Sequence, residues 1–289
     1  MTIGSERKHA GGFTRPIFGP ALLVGALALS AAAPSALARE GVDVGGNSAF
    51  TKLVPAEEVE RSASKQYLQL LSQADEKRAL APKDNAQLQR LRGIAQKIIP
   101  FALDWNPRAR GWQWEVNLIG SSQINAFCMP GGKIVFYTGI LEKLQLSDDE
   151  VAMVMGHEIA HALREHARER MGKSAATHGI ARLAGALASS YFGIDSRITD
   201  GIASGGANLL TLEFSRDDES EADLVGMELA ARAGYNPRAG VTLWQKMGAA
   251  NKNAPPQWLS THPAGTRRIA DIEANLPKVM QLFERARAR

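Results

Sequence analysis

"VMGHEIAHALREH", residues 154–166, sets His157 and His161 four positions apart with Glu158 beside the first histidine. The stretch decides the reading of the chain if it is helical, because residues i and i+4 then stack on one face about one turn apart. A start signal lies just upstream: Ser147 is followed three positions later by Glu150, a capping box, with Asp148 and Asp149 in the first turn. Val151, Val154, Met155, Ile159, Ala162 and Leu163 then recur on one side, and the helix is predicted to run to about Met171. Two imidazoles so placed can share a tetrahedral ion. Glu158 then points toward the open position, where it can take a proton from water and return it to a leaving amine.

A third donor must come from elsewhere. His178, His262 and the acidic run Asp217, Asp218, Glu219, Glu221 and Asp223 are the candidates. Ala222, Val225, Gly226, Leu229 and Ala233 form the packing stripe of a predicted helix over 213–233, and Glu219 lies on that stripe. An acidic side chain on a packing face is costly unless it is paired or binds metal, so periodicity selects Glu219. Glu221 is about 200° around the helix from it and faces away. Asp223, one turn on, can accept from the outer nitrogen of a ligand histidine. Ala222 and Gly226 let two helices approach closely. His166 and His178 read as structural or solvent-facing. His262, before Pro263 in a predicted loop, can donate to the oxyanion of a tetrahedral intermediate or cap a local turn.

The rest of the chain fits around such a site. Its 289 residues, 45% hydrophobic and 22% charged, suit a folded globular protein. The net charge of +4 is weak, and basic residues interleave with acidic ones instead of forming a stripe, which argues against nucleic acid as a partner. Arg7, Lys8 and Arg15 precede a charge-free run from Pro16 to Ala38 that ends in small residues. This pattern predicts an export signal over 1–38, cleaved before Arg39, with a retained membrane anchor as the alternative. Cys128 is the only cysteine, so no intrachain disulfide can form, and the residue reads as a strand cysteine.

Residues 39–56 read as a flexible lead-in and 57–289 as one domain. Helical periodicity marks 57–80 and 85–103, then alternation marks "WQWEVNLIG", "NAFCM" and "KIVFYTG" as short strands of a small antiparallel sheet. The low-charge segment 174–210 reads as a helical hairpin or a mobile cover. Helices over 237–249 and 263–288 complete a mostly helical α+β fold.

Taken in order, "HEIAH" at 157–161, "SRDDESEAD" at 215–223, "THP" at 261–263 with Arg268 beyond, and "NAFCMPGGKIVFYTGIL" at 125–141 resemble the gluzincin peptidase family. That family includes the CAAX prenyl endopeptidase, the HtpX heat-shock protease and mitochondrial and periplasmic quality-control proteases. The resemblance implies a zincin-like metallopeptidase with one zinc ion per chain on His157, His161 and Glu219. Glu158 would be the general base and His262 a catalytic group, with Asp223 and Arg268 supporting the ligands. The strand at Asn125, Ala126 and Phe127 would receive extended substrate, although these residues also suit an ordinary surface-to-core alternation.

The chain departs from the prenyl protease and HtpX in lacking their multiple membrane spans, which puts prenylated substrates in doubt. The small exported quality-control members fit best. They imply unfolded or misfolded polypeptides as partners, a periplasmic location and at most weak membrane association. The competing class is a chaperone or envelope assembly factor that keeps the zinc fold without catalysis.

Overall fold

The computed structural model describes residues 40–177, 179, 208–250, 257–262 and 267–288. The export-signal reading of 1–38, the candidate donor His178 and most of the proposed cover, residues 180–207, lie outside the described residues. Two amphipathic helices come first, α1 (Ala56–Glu76) and α2 (Ala86–Ile98), the second capped by Asn85, whose side chain accepts from Gln87 and Leu88 N–H. Leu88, Leu91, Ile94 and Ile98 are buried along one stripe of α2, as their spacing predicts. Beyond Ile98 the chain tightens into a 3-10 turn over Ile99–Asp104, so the regular helix ends five residues short of the predicted boundary at Leu103.

Three strands follow: β1 (Glu115–Ile119), β2 (Ala126–Met129) and β3 (Lys133–Tyr137). A tight turn through Gly131 and Gly132, both at positive φ, folds β2 back on β3 as an antiparallel hairpin. The all-antiparallel expectation needs one correction: β1 pairs with β3 in parallel, giving the order β1-β3-β2. The link from β1 to β2 passes the place that β3 then fills, and β2 is left as an edge.

A short helix that the periodicity did not reveal, α3 (Thr138–Leu144), leads to α4 (Asp148–Leu163). Both halves of the Ser147–Glu150 capping box are present. From Glu150 to Leu163 every residue of α4 is buried, so it is a core helix enclosed on all sides and not one with a single apolar face. It ends at Leu163 rather than near Met171. Glu165 adopts φ 58°, a left-handed conformation that costs a non-glycine residue about 1–2 kcal/mol, and a new helix, α5, occupies 166–177. Nothing between Arg164 and Met171 is a glycine or proline, so local composition gave no sign of the break.

Then come α6 (Arg216–Arg232), α7 (Ala239–Ala250), the short α8 (Gln257–Thr261) and α9 (Arg268–Arg287). Ser215 and Asp218 form a second capping box at the start of α6. Helices α4 and α6 cross with backbones in contact: a Cβ added to Gly226 would lie 2.4 Å from His157 N, and one added to Gly156 would lie 2.5 Å from Gly226 O. Ahead of α1, Val42 is buried and its N–H donates to Glu228 Oε2 of α6 at 2.8 Å. No helix among the described residues is long and apolar enough to cross a membrane.

Candidate metal centre

The crossing of α4 and α6 brings His157, His161 and Glu219 together, and the residue after α8, His262, faces the same point. One donor atom from each of the four lies within 4.8 Å of the others, and all four side chains are buried. His157 Nε2 is 3.0 Å from His161 Nε2 and 3.6 Å from Glu219 Oε2, while His161 Nε2 is 3.4 Å from Glu219 Oε1. Ligand bonds of 2.0–2.1 Å in a tetrahedral site put donor atoms about 3.3 Å apart, so these spacings fit one small ion. A second observation agrees. Glu219 Oε1 and His262 Nε2 are buried without a hydrogen-bond partner, as expected of atoms whose partner is a metal or a group bound beside it. The cluster can hold a metal ion.

Glu158 sits beside this cluster. Its Oε1 accepts from the indole N–H of Trp258 at 2.6 Å, and its Oε2 lies 3.6 Å from His262 Nε2. Burial pushes its carboxyl up, but His262, His157 and the Trp258 N–H outweigh that and hold it below the ordinary glutamate range. It is therefore an available proton acceptor. Trp258 also stacks on His262, centroids 4.7 Å apart, and on its other flank approaches Trp244 at 5.3 Å. Sequence reasoning assigned 257–261 to a linker and missed Trp258. The only available signal was an isolated tryptophan in an otherwise polar stretch.

His262 Nδ1 bonds the Trp258 carbonyl at 3.1 Å and Thr261 Oγ1 at 2.9 Å. An Nδ1–H donated to that carbonyl leaves Nε2 to face the cluster. Burial lowers the His262 pKa, yet Glu158 and Glu219 together raise it above the ordinary value. His161 is driven well below its ordinary value by burial and by the neighbouring histidines.

Asp223 and Arg268 stand behind the donors. His157 Nδ1 lies 3.0 Å from Asp223 Oδ1. Arg268 donates to Asp223 Oδ2 at 2.6 Å and Oδ1 at 2.7 Å, and to Glu219 Oε2 at 2.5 Å, while its guanidinium lies 3.7 Å from the Trp244 ring centre. Burial would raise Asp223, but Arg268 and His157 hold it at about 2. Burial raises the Glu219 carboxyl despite its cationic neighbours.

Glu221 does not reach the donor cluster, but its carboxylate accepts from Arg164 and lies 3.3 Å from His166 Nε2. His166 is 1% exposed, so the solvent-facing reading of it does not stand; the break at Glu165 turns its ring inward. Asn125, Ala126 and Phe127 line a cleft with Glu158, His161 and His262. Cys128, the next residue on β2, is buried, and burial raises its thiol well above the ordinary range.

A buried pair of histidines one turn apart, a carboxylate from a second helix and a proton acceptor alongside define a metallopeptidase-type site. Residues 85–276 match the model of peptidase family M48, and the chain belongs to that family. Family and donor set together are those of a zinc-dependent metalloendopeptidase.

Three relatives illustrate the range of the likeness. The chain is 40% identical over 164 residues to mitochondrial metalloendopeptidase OMA1 of Arabidopsis thaliana, covering 55% of this chain and 30% of that protein. It is 31% identical over 184 residues to the OMA1 of Saccharomyces cerevisiae, covering 61% and 51%. It is 32% identical over 162 residues to the beta-barrel assembly-enhancing protease of Escherichia coli, covering 53% and 32%. The aligned region thus spans about half or less of each relative.

Proposed function

We propose that this chain hydrolyses peptide bonds of misfolded exported or membrane-associated proteins, as a quality-control enzyme of the bacterial periplasm. The observation that carries the chemistry is the set of four buried donor atoms within 4.8 Å with Glu158 beside them. His157, His161 and Glu219 hold one zinc ion. When bound, zinc would polarise a scissile carbonyl and acidify a water molecule. Glu158, with Oε1 pinned by Trp258, keeps Oε2 to accept the water's proton and pass it to the leaving amine. His262 Nε2 faces the same space and donates to the developing oxyanion when it carries a proton. Asp223 and Arg268 keep the His157 ring turned toward the donors.

Substrate binds in extended form along Asn125, Ala126 and Phe127. The edge position of β2 supports this, because its outer backbone groups are not used within the sheet. Backbone pairing gives affinity that depends little on side chains, which suits unfolded polypeptides. Residues 1–38 act as a cleaved signal, 39–56 lead in to the domain, and 57–289 form the peptidase domain. The relatives named as mitochondrial and beta-barrel assembly-enhancing proteases support an envelope role.

The second reading, a chaperone that keeps zinc for stability alone, is disfavoured by Glu158. A structural ion has no use for a buried carboxylate beside its open face. Zinc content and casein hydrolysis on the purified chain test the choice. One zinc per chain with cleavage supports the enzyme; one zinc with no cleavage of any unfolded substrate supports the chaperone. Amino-terminal sequencing of the cellular protein tests cleavage of the signal: a mature chain still beginning near Met1 and extracted only by detergent would mean a retained anchor instead.

A further inference from the structure

We propose that His166 is a positioning residue for His161, anchored in turn by Glu221 and Arg164; the proposal rests on the metal site described above. His166 Nδ1 lies 2.8 Å from His161 Nδ1, and His166 Nε2 lies 3.3 Å from Glu221 Oε2. Arg164 Nε donates to the other oxygen of Glu221, and Arg164 Nη2 donates to the Gly45 carbonyl at 3.0 Å. His161, His166 and Arg164 are all buried.

Hydrogen-bond chemistry gives this chain of groups one direction. His161 Nε2 faces Glu219 Oε1 and the other donors, so an ion takes the lone pair of Nε2 and the ring's proton stays on Nδ1. Two ring nitrogens 2.8 Å apart share a single proton. His161 Nδ1–H therefore donates and His166 Nδ1 accepts. The His166 proton is then on Nε2, where it donates to Glu221, an acceptor-only carboxylate whose charge Arg164 balances. Each group has one permitted role, and His161 is held in the tautomer that binds metal through Nε2.

The backbone is bent to make this contact. In an unbroken helix residue i+5 lies about 140° from residue i, and the His166 ring would point away from His161. The left-handed turn at Glu165 brings it back. The turn is secured by bonds from Arg168 Nη1 to Glu165 Oε1 and Oε2 at 3.0 and 2.9 Å. Phe214 stacks on His161 with centroids 4.0 Å apart, fixing the plane in which the ring is held while His166 fixes its rotation.

Zinc affinity of the full chain, measured by competition with a chromophoric chelator, tests the proposal in wild type, His166→Leu and His166→Asn. Loss of a partner behind a ligand histidine weakens metal binding by about 10–100-fold, and that is the effect expected of His166→Leu. His166→Asn carries an amide oxygen near the place of Nδ1, and recovers most of the loss. In the cobalt-substituted protein the visible bands shift in His166→Leu and return toward wild type in His166→Asn. Nitrogen-15 spectra of zinc-loaded wild type place the His166 proton on Nε2, a readout that needs no variant.

Wild-type affinity and an unchanged cobalt spectrum in His166→Leu would overturn the proposal, as would a proton on His166 Nδ1. If His166→Leu does not fold, the tautomer and the affinity of His166→Asn decide: the Nε2–H form with near-wild-type affinity supports the proposal, and either result reversed overturns it. A wild-type chain that binds no zinc overturns the metal reading and this proposal together. Zinc bound normally by wild type and His166→Leu overturns this proposal alone.

Discussion

His157 and His161 leave the same helix one turn apart, but their outer nitrogens meet different supports. His157 Nδ1 reaches a carboxylate in one step, Asp223, which Arg268 of α9 grips through both oxygens. His161 Nδ1 reaches a carboxylate in two steps, through the His166 ring to Glu221 and Arg164. Both arms end in the same pairing, a carboxylate neutralised by a guanidinium. The difference lies in what else the arginine holds. Arg268 also binds Glu219, so the first arm is coupled directly to the third donor, whereas Arg164 binds the Gly45 carbonyl in the segment ahead of α1. Damage to the first arm therefore reaches two donors, and damage to the second reaches one.

The largest effect comes from Glu219, the donor that the first arm also holds. Glu219→Ala is expected to take zinc from one per chain to nearly none by metal analysis, with peptide hydrolysis lost alongside. Glu158→Gln leaves both arms and all donors in place. It should retain zinc while hydrolysis of casein falls about 100–10,000-fold, the range for a missing general base. Near-wild-type turnover in a metal-replete Glu158→Gln protein would remove Glu158 from the chemistry.

The asymmetry itself is tested by Arg268→Leu. This leaves the Asp223 and Glu219 carboxylates buried without their cation, a class of change that costs about 3–5 kcal/mol. Thermal unfolding of the metal-free chain should show that loss, and zinc should bind more weakly than in His166→Leu. Equal zinc affinities in the two variants would mean that the arms are equivalent and the coupling through Glu219 carries no weight.

The two arms also differ in how far sequence alone could reach them. Glu219 stood out as an acid on an apolar stripe, and Asp223 as the residue one turn on, because regular helix spacing fixes which side chains share a face. Arg268 came from family resemblance, not from periodicity. Glu221 was rightly turned away from the donors, but its real contact depends on Arg164 and His166, and His166 comes into range only through the left-handed turn at Glu165. A conformation imposed by tertiary contacts leaves no periodic trace. The same holds for Trp258, on a five-residue helix too short to show a pattern, and for the parallel pairing of β1 with β3, which alternation along a strand does not specify.

Moving the crossing of α4 and α6 displaces both arms together and should cost less than unpairing charges. Gly226→Ala places a methyl group 2.4 Å from His157 N, backbone that has no room to retreat. A loss of about 1–3 kcal/mol is expected from overpacking, read by denaturant unfolding. Gly248 in α7 has nothing within 4 Å of an added Cβ, so Gly248→Ala should instead gain about 0.5–1 kcal/mol from helix propensity. If Gly226→Ala is as benign as Gly248→Ala, the two helices are not in backbone contact in solution, and the placement of Glu219 against His157 would need revision.

The smallest effect belongs to the opposite end of α4, where a buried carboxylate serves the fold and not the metal. Glu150 accepts from Ser147 N at 2.9 Å, Thr242 Oγ1 at 2.9 Å and Lys246 Nζ at 2.7 Å. Burial raises its pKa, but Lys246 and the hydrogen bonds outweigh burial, so the native value is below the ordinary 4.5. A depressed carboxyl contributes stability that is fully present above the unfolded value and is lost as pH falls through the native one. Glu150→Gln keeps the capping geometry, because glutamine also serves at this position, and removes only the charge. Lys246 is partly exposed, so its pairing is screened. The variant should therefore lose less than about 1 kcal/mol at neutral pH. Below the native Glu150 pKa the difference should vanish, because the wild-type carboxyl is then neutral too. Zinc affinity should not change at neutral pH, in contrast to the substitutions at Glu219, Arg268 and His166. A stability loss that stays the same as pH falls from 7 through the whole native titration of Glu150 would show that shape, not charge, governs this position.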